Sequence, residues 1–180
     1  MGDATDKEIW GPLWNLYSRA GLSLPEFELV EGRMLPEPYQ TLLVHHRDMT
    51  RTLEAHHQSP IHLRLLDQMQ EGLTYSRTVV LALNKSDHPV EFGASRVLLK
   101  GIPEPWCAQI IEAHLPLGGI LNASGIPYRS QPSAFFRTLG DDLIRSALRV
   151  EGLVPLYGRR NTLSASNGST LAEIVEILPP

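Results

Sequence analysis

Three consecutive stretches decide the architecture of this chain: Tyr75-Ser76-Arg77-Thr78-Val79-Val80-Leu81-Ala82-Leu83, then Asn84-Lys85-Ser86-Asp87-His88-Pro89, then Val90-Glu91-Phe92-Gly93-Ala94-Ser95-Arg96-Val97-Leu98-Leu99. Two β-rich runs flank a turn-forming segment, the pattern of an antiparallel hairpin. A second hairpin follows near the C-terminus, Tyr157–Ala165 and Thr170–Leu178 around Asn167-Gly168, a dipeptide strongly associated with tight hairpin turns. Between and before them the apolar spacing predicts helices over 7–21, 38–57, 106–114 and 134–150, with a further strand at 61–66. Adjacent hairpins without βαβ alternation predict an α+β domain built on an antiparallel sheet.

The charges inside these strands carry the functional information. Side chains alternate faces along a strand, so Arg77 shares a row with Tyr75, Val79, Leu81 and Leu83, and Arg96 one with Val90, Phe92, Ala94 and Leu98. If 85–88 form a four-residue loop, Asn84 pairs with Pro89 and Arg77 falls opposite Arg96. Like charges directly opposite destabilise a sheet, and a guanidinium facing a core needs an anionic partner. Either nearby acids such as Glu91 or Glu173 meet the arginines, or one sheet face is solvated, or the two arginines line a pocket for an organic anion. In the last hairpin Arg159 falls opposite Glu176, a lone carboxylate in the row Ala172, Ile174, Leu178. That pair is either a sheet-edge ion pair or a site in which Glu176 accepts a ligand hydroxyl or carries a proton, supported by Arg159.

Other function classes recede. The chain has 180 residues, 42% hydrophobic and 20% charged, with 16 Lys+Arg against 20 Asp+Glu for a net charge of −4. That is one domain's worth of ordinary globular chain, without the general basic field of a nucleic-acid binder. One cysteine, Cys107, excludes an internal disulfide. His45-His46 and His56-His57 complete no metal-ligand spacing, no dinucleotide loop is present, and no run is long enough for a membrane helix. Neither a metal nor another cofactor is expected. The start, Met1 to Asp6, is acidic and lacks the basic and apolar regions of a signal peptide, so a cytoplasmic protein is expected.

Six short segments, in order, resemble the chorismate pyruvate-lyase family: Asp48-Met49-Thr50-Arg51; Ser76–Leu81 with Arg77; Pro89–Val97 with Arg96; Leu115-Pro116-Leu117-Gly118; Leu156–Arg160; and Val175–Pro179 with Glu176. The resemblance spans about residue 45 to the C-terminus. It implies an antiparallel sheet with helices enclosing an internal ligand cavity, and one domain over 1–180. It implies cleavage of chorismate to 4-hydroxybenzoate and pyruvate without a cofactor. Met49, Arg77, Leu117 and Glu176 would touch the ligand, Arg96 would be the second cation, and Arg77 and Glu176 would carry the chemistry. Between Leu117 and Leu156 the chain is longer than the compact members, so an extended helical lid is expected over 122–150. The fold also resembles the effector-binding domains of GntR-type transcription regulators, which bind small molecules and catalyse nothing. Residues 1–40 are too short and too proline-interrupted for the winged helix such regulators carry. A non-catalytic binder of a small aromatic carboxylate is therefore the alternative to the lyase, and another lyase-like reaction a third reading.

Overall fold

The computed structural model describes the backbone of residues 4–180 and the side chains of residues 7–180; the acidic start read for targeting, Met1 to Asp6, lies outside the described side chains. The elements run α1 (Ala4–Ala20), β1 (Phe27–Val30), α2 (Tyr39–Leu43), α3 (Met49–His57), β2 (Ile61–Glu71), β3 (Thr74–Leu83), β4 (Pro89–Leu98), α4 (Glu104–Glu112), α5 (Leu117–Ser124), β5 (Tyr128–Thr138), α6 (Asp142–Leu148), β6 (Leu156–Ala165) and β7 (Thr170–Leu178). All seven strands form one antiparallel sheet in the order β1-β5-β6-β7-β4-β3-β2. This is the expected α+β class. No helix among the described residues is long and apolar enough to cross a membrane.

Two stretches differ from the sequence reading. The helix expected over 38–57 is broken in two: α2 ends at Leu43, and α3 begins after Asp48, whose side chain caps it by accepting from the backbone N–H of Arg51 at 3.1 Å. An Asp N-cap starts a new helix because it satisfies one of the donors a first turn leaves free.

The helical lid expected over 122–150 is not one. Residues 128–138 form β5, which joins β1 to β6, and only Asp142–Leu148 are helical beyond it. Phe136 and Thr138 follow the two-residue period of a strand, with Phe135 on the other face, and Phe136 packs edge-on against Trp10 at 5.1 Å. Gly140, with φ +64°, turns the chain, and Asp141 caps α6 through the Ile144 N–H at 2.9 Å.

The sheet's two faces are packed differently. On one, α1 and α6 bring Trp10, Leu13, Tyr17, Ile144 and Leu148 onto Val80, Phe92, Phe136, Val175 and Ile177 in a continuous core. On the other, packing divides. One cluster joins α4 and α5 to Tyr75, Val97, Leu163 and Ala172; a second joins α2 and α3 to Leu81, Val90 and Leu178. Between these two clusters the sheet surface is left to polar side chains and a cavity.

Candidate ligand cavity

The register of the central hairpin determines what faces that cavity. Arg77 lies opposite Ser95, not Arg96: Pro89 pairs with Ala82 rather than with Asn84, and a bulge between Leu81↔Glu91 and Ala82↔Pro89 shifts the register by one residue beyond it. One extra residue in one strand reverses which face the following side chains occupy. The cavity-facing rows across β3, β4, β7 and β6 are therefore Arg77–Ser95–Ile174–Asn161, then Val79–Gly93–Glu176–Arg159, then Leu81–Glu91 on the first two strands. Arg96 points the other way. Its guanidinium donates to Glu173 at 2.7 Å, and Arg160 donates to the same carboxylate at 2.8 Å. The expected pair of arginines in one pocket is thus corrected: Arg96 is outside it, 43% exposed at its side chain and already paired.

The cavity's empty space, with the open solvent at its entrance included, is about 620 Å³. Met49, Arg77, Leu117 and Glu176 all line it, as does Arg159. Leu63, Val79, Leu81 and Leu163 supply apolar wall. The mouth lies where the first turns of α3 and α5 meet. Asp48 holds them together, capping α3 while accepting from Asn122 Nδ2 at 2.9 Å. Gly118 permits the approach, since a Cβ there would fall 2.1 Å from Asp48 Oδ2.

Arg77 is 4% exposed. Its Nη2 donates to the Leu115 carbonyl at 3.2 Å, and its Nη1 is buried with no hydrogen-bond partner among the described residues. Burial works against its positive charge, yet a guanidinium does not give up its proton in a protein. The group is a donor awaiting an acceptor.

Arg159 is fully buried and better satisfied. Its Nε donates to Glu176 Oε2, and its Nη1 to the carbonyls of Leu43 at 2.9 Å and His45 at 3.1 Å; Nη2 has no partner among the described residues. The expected Arg159–Glu176 pairing is present and buried inside the cavity. His45 beside it is driven down to about 4, first by burial and then by the Arg159 charge. It is neutral, with Nε2 donating to the Leu42 carbonyl at 2.7 Å and Nδ1 accepting from the Arg47 N–H at 3.1 Å.

Sequence reasoning treated Glu91 only as a counter-ion for the arginines. In the structure it is 4% exposed, lines the cavity, and its Oε2 has no partner among the described residues. Burial pushes its carboxyl well above the ordinary glutamate range, and the neighbouring Glu176 pushes the same way. Asn161, hydrogen-bonded to Ser130 at 3.0 Å, was missed as well. The signal for both was register: only the bulged pairing puts Glu91 in the row system of Arg77.

No protein-family model matches the chain, and no curated protein matches it in sequence. Solved structures do. The effector domain of PhnF from Mycobacterium smegmatis superposes with a TM-score of 0.59 at 10% identity, over 73% of this chain and 87% of that one. The two share a fold. A ligand-binding domain from Bordetella bronchiseptica, assigned to a GntR-family transcriptional regulator, superposes with a TM-score of 0.52 at 12% identity, over 66% and 85% of the two chains. The longer PhnF chain gives 0.59 at 9% identity over 75% of this chain, which spans 64% of PhnF's length. The lyase expected from the sequence is corrected by these likenesses: the solved structures that share this fold are described as an effector domain and as the ligand-binding domain of a GntR-family regulator, and enzyme status is not carried forward.

Proposed function

We propose that the chain is a non-catalytic binding domain for a small aromatic monocarboxylate. The observation that carries this is Arg77, a nearly fully buried guanidinium with one nitrogen that has no partner among the described residues, on the wall of a largely apolar cavity. A carboxylate meets a guanidinium with two parallel charge-assisted bonds, a geometry few other anions match. Charge balance sets the number of carboxylates. Arg159 is neutralised by Glu176, whereas Arg77 meets only the Leu115 carbonyl among the described residues, so its positive charge is the one a ligand would balance. The walls from Met49, Val79, Leu81, Leu117 and Leu163 suit a flat apolar ring.

Isothermal titration of the purified chain with benzoate, and with benzylamine as the cationic control, tests the reading. Benzoate should bind and benzylamine should not. Incubation with chorismate should release no pyruvate. Benzoate heat indistinguishable from buffer, or pyruvate release, would remove the proposal.

A further inference from the structure

Glu91 has no place in the anion-binding role just described, yet its position in the cavity is a constructed one. It sits on β4 opposite Leu81, four residues along the strands from the Arg77–Ser95 pair. That separation is about 13 Å of backbone at ~3.3 Å per residue, and both long side chains line the space between. Gly93 clears the floor beside it: a Cβ at that position would lie 2.9 Å from Glu91 Oε1 and 3.5 Å from Val79 Cγ2. Glycine in a strand interior weakens it unless close approach is needed. Here the missing side chain leaves room for the Glu91 carboxyl.

The groups acting on Glu91 come from every side. Glu176 lies on β7, Arg159 on β6, and Asp48 at the start of α3; neutral His45 lies against Arg159 from the α2–α3 link. Arg159 is the one cation of that set, and its Nε and Nη1 are engaged by Glu176 and two backbone carbonyls. Two buried carboxyl groups sharing one such cation cannot both ionise cheaply. Glu176 holds the contact, so Glu91 keeps its proton. A neutral carboxylic acid in an apolar site is a hydrogen-bond donor, the arrangement some sites use to read an oxygen atom.

Resting on the monocarboxylate reading, we propose that Glu91 is a specificity-determining residue: its carboxyl O–H donates to an oxygen acceptor at the end of the ligand remote from the Arg77-bound carboxylate. The ligand class narrows to aromatic carboxylates bearing a ring-attached oxygen.

The test uses two probes of nearly equal shape, 4-methoxybenzoate and 4-ethylbenzoate, which differ by an oxygen in place of a methylene. Calorimetry at pH 7 should show wild type preferring the methoxy probe by about 3–10-fold, the range of one neutral hydrogen bond. Glu91→Gln keeps a donor and should keep that preference. Glu91→Val removes it and should reverse the order in favour of the ethyl probe. In the ligand-free protein, carbon-13 NMR of labelled glutamate carboxyls should show the signal lost in Glu91→Gln as protonated at pH 7. Should Glu91→Val fail to fold, the wild-type preference and the NMR arm decide. Benzoate binding without a methoxy preference, a preference surviving Glu91→Val, or an ionised Glu91 at pH 7 overturns the proposal and leaves the carboxylate reading standing. Failure of benzoate itself to bind overturns both.

Discussion

Replacing Arg77 with methionine separates a ligand-binding arginine from a structural one. In the ligand-free protein the side chain is 4% exposed, makes one hydrogen bond to the Leu115 carbonyl at 3.2 Å, and leaves Nη1 without a partner. Methionine fills similar volume without a charge. Removing an isolated buried charge relieves its desolvation, while losing a charged hydrogen bond to a carbonyl costs about 1.5–3 kcal/mol. Replacing buried ionic groups by apolar ones has proved neutral to stabilising by about 1–4 kcal/mol. The net expectation is an unchanged or higher melting temperature, by about 2–4 °C for each kcal/mol gained at this chain length.

Binding should move the other way. Truncating one partner of a buried charge pair costs about 2–5 kcal/mol, so benzoate affinity should fall from about 30-fold to several thousand-fold. Arg77→Lys, which keeps the charge and loses the planar fork, should fall between. Thermal melts of the apo protein and calorimetry with benzoate read the two effects independently. If Arg77→Met unfolds the protein, or binds benzoate as wild type does, the anion site is elsewhere.

Arg96→Ala should leave benzoate affinity unchanged and lower stability by less than about 1 kcal/mol, because Arg96 makes a half-exposed ion pair with Glu173 on the opposite face; weakened binding would return it to the pocket. Asp48→Ala removes the α3 cap, worth about 1 kcal/mol, and the tie to Asn122 on α5, so stopped-flow release of benzoate should speed up while wild-type release rates would mean the tie does not govern the mouth. His45 has a folded value near 4, below the ordinary 6.5, so between those values the unfolded chain holds more protons and stability falls as pH drops; His45→Gln should flatten that part of a pH–denaturation series. For Glu91 the sign is opposite, since its folded value is raised: stability is lost as pH rises through that value, and Glu91→Gln should melt higher than wild type at pH 8 to 9.

The two hairpins were legible because a two-residue period and a turn signal reinforce one another. Arg159 does fall opposite Glu176, although the turn closes at Ala165–Ser169 with Gly168 at φ +83° and a bulge between Leu163 and Ser164 restores the expected register. What escaped had physical reasons. Phe135, Leu139, Leu143, Ala147 and Leu148 mimic helical spacing across a boundary where strand β5 ends at Thr138 and α6 begins at Asp142; Gly140 and the Asp141 cap, both visible in the sequence, mark the break. β1, four residues long and at the sheet's edge, offers too little period to read. Met49, Leu117, Arg77 and Glu176 were placed by resemblance, and the structure brings them to one cavity. Glu91 was not, because a glutamate two residues into a strand reads as a surface charge until the register is known.

That register also decides what class of anion the cavity suits. Without the bulge between β3 and β4 the pairing set at Ala82↔Pro89 would continue to Arg77↔Ala94 and place Arg96 on the face of Arg77, and with Arg159 held by Glu176 the interior would carry two free cations, the complement of a dicarboxylate such as chorismate. The bulge at the Pro89 end of β4 turns Arg96 onto the other face, where Glu173 meets it, and brings Glu91 round to the cavity instead. A single inserted residue thereby exchanges a second cation for a neutral acid. The interior then balances one carboxylate rather than two, and where the second carboxylate would have bound it presents an O–H.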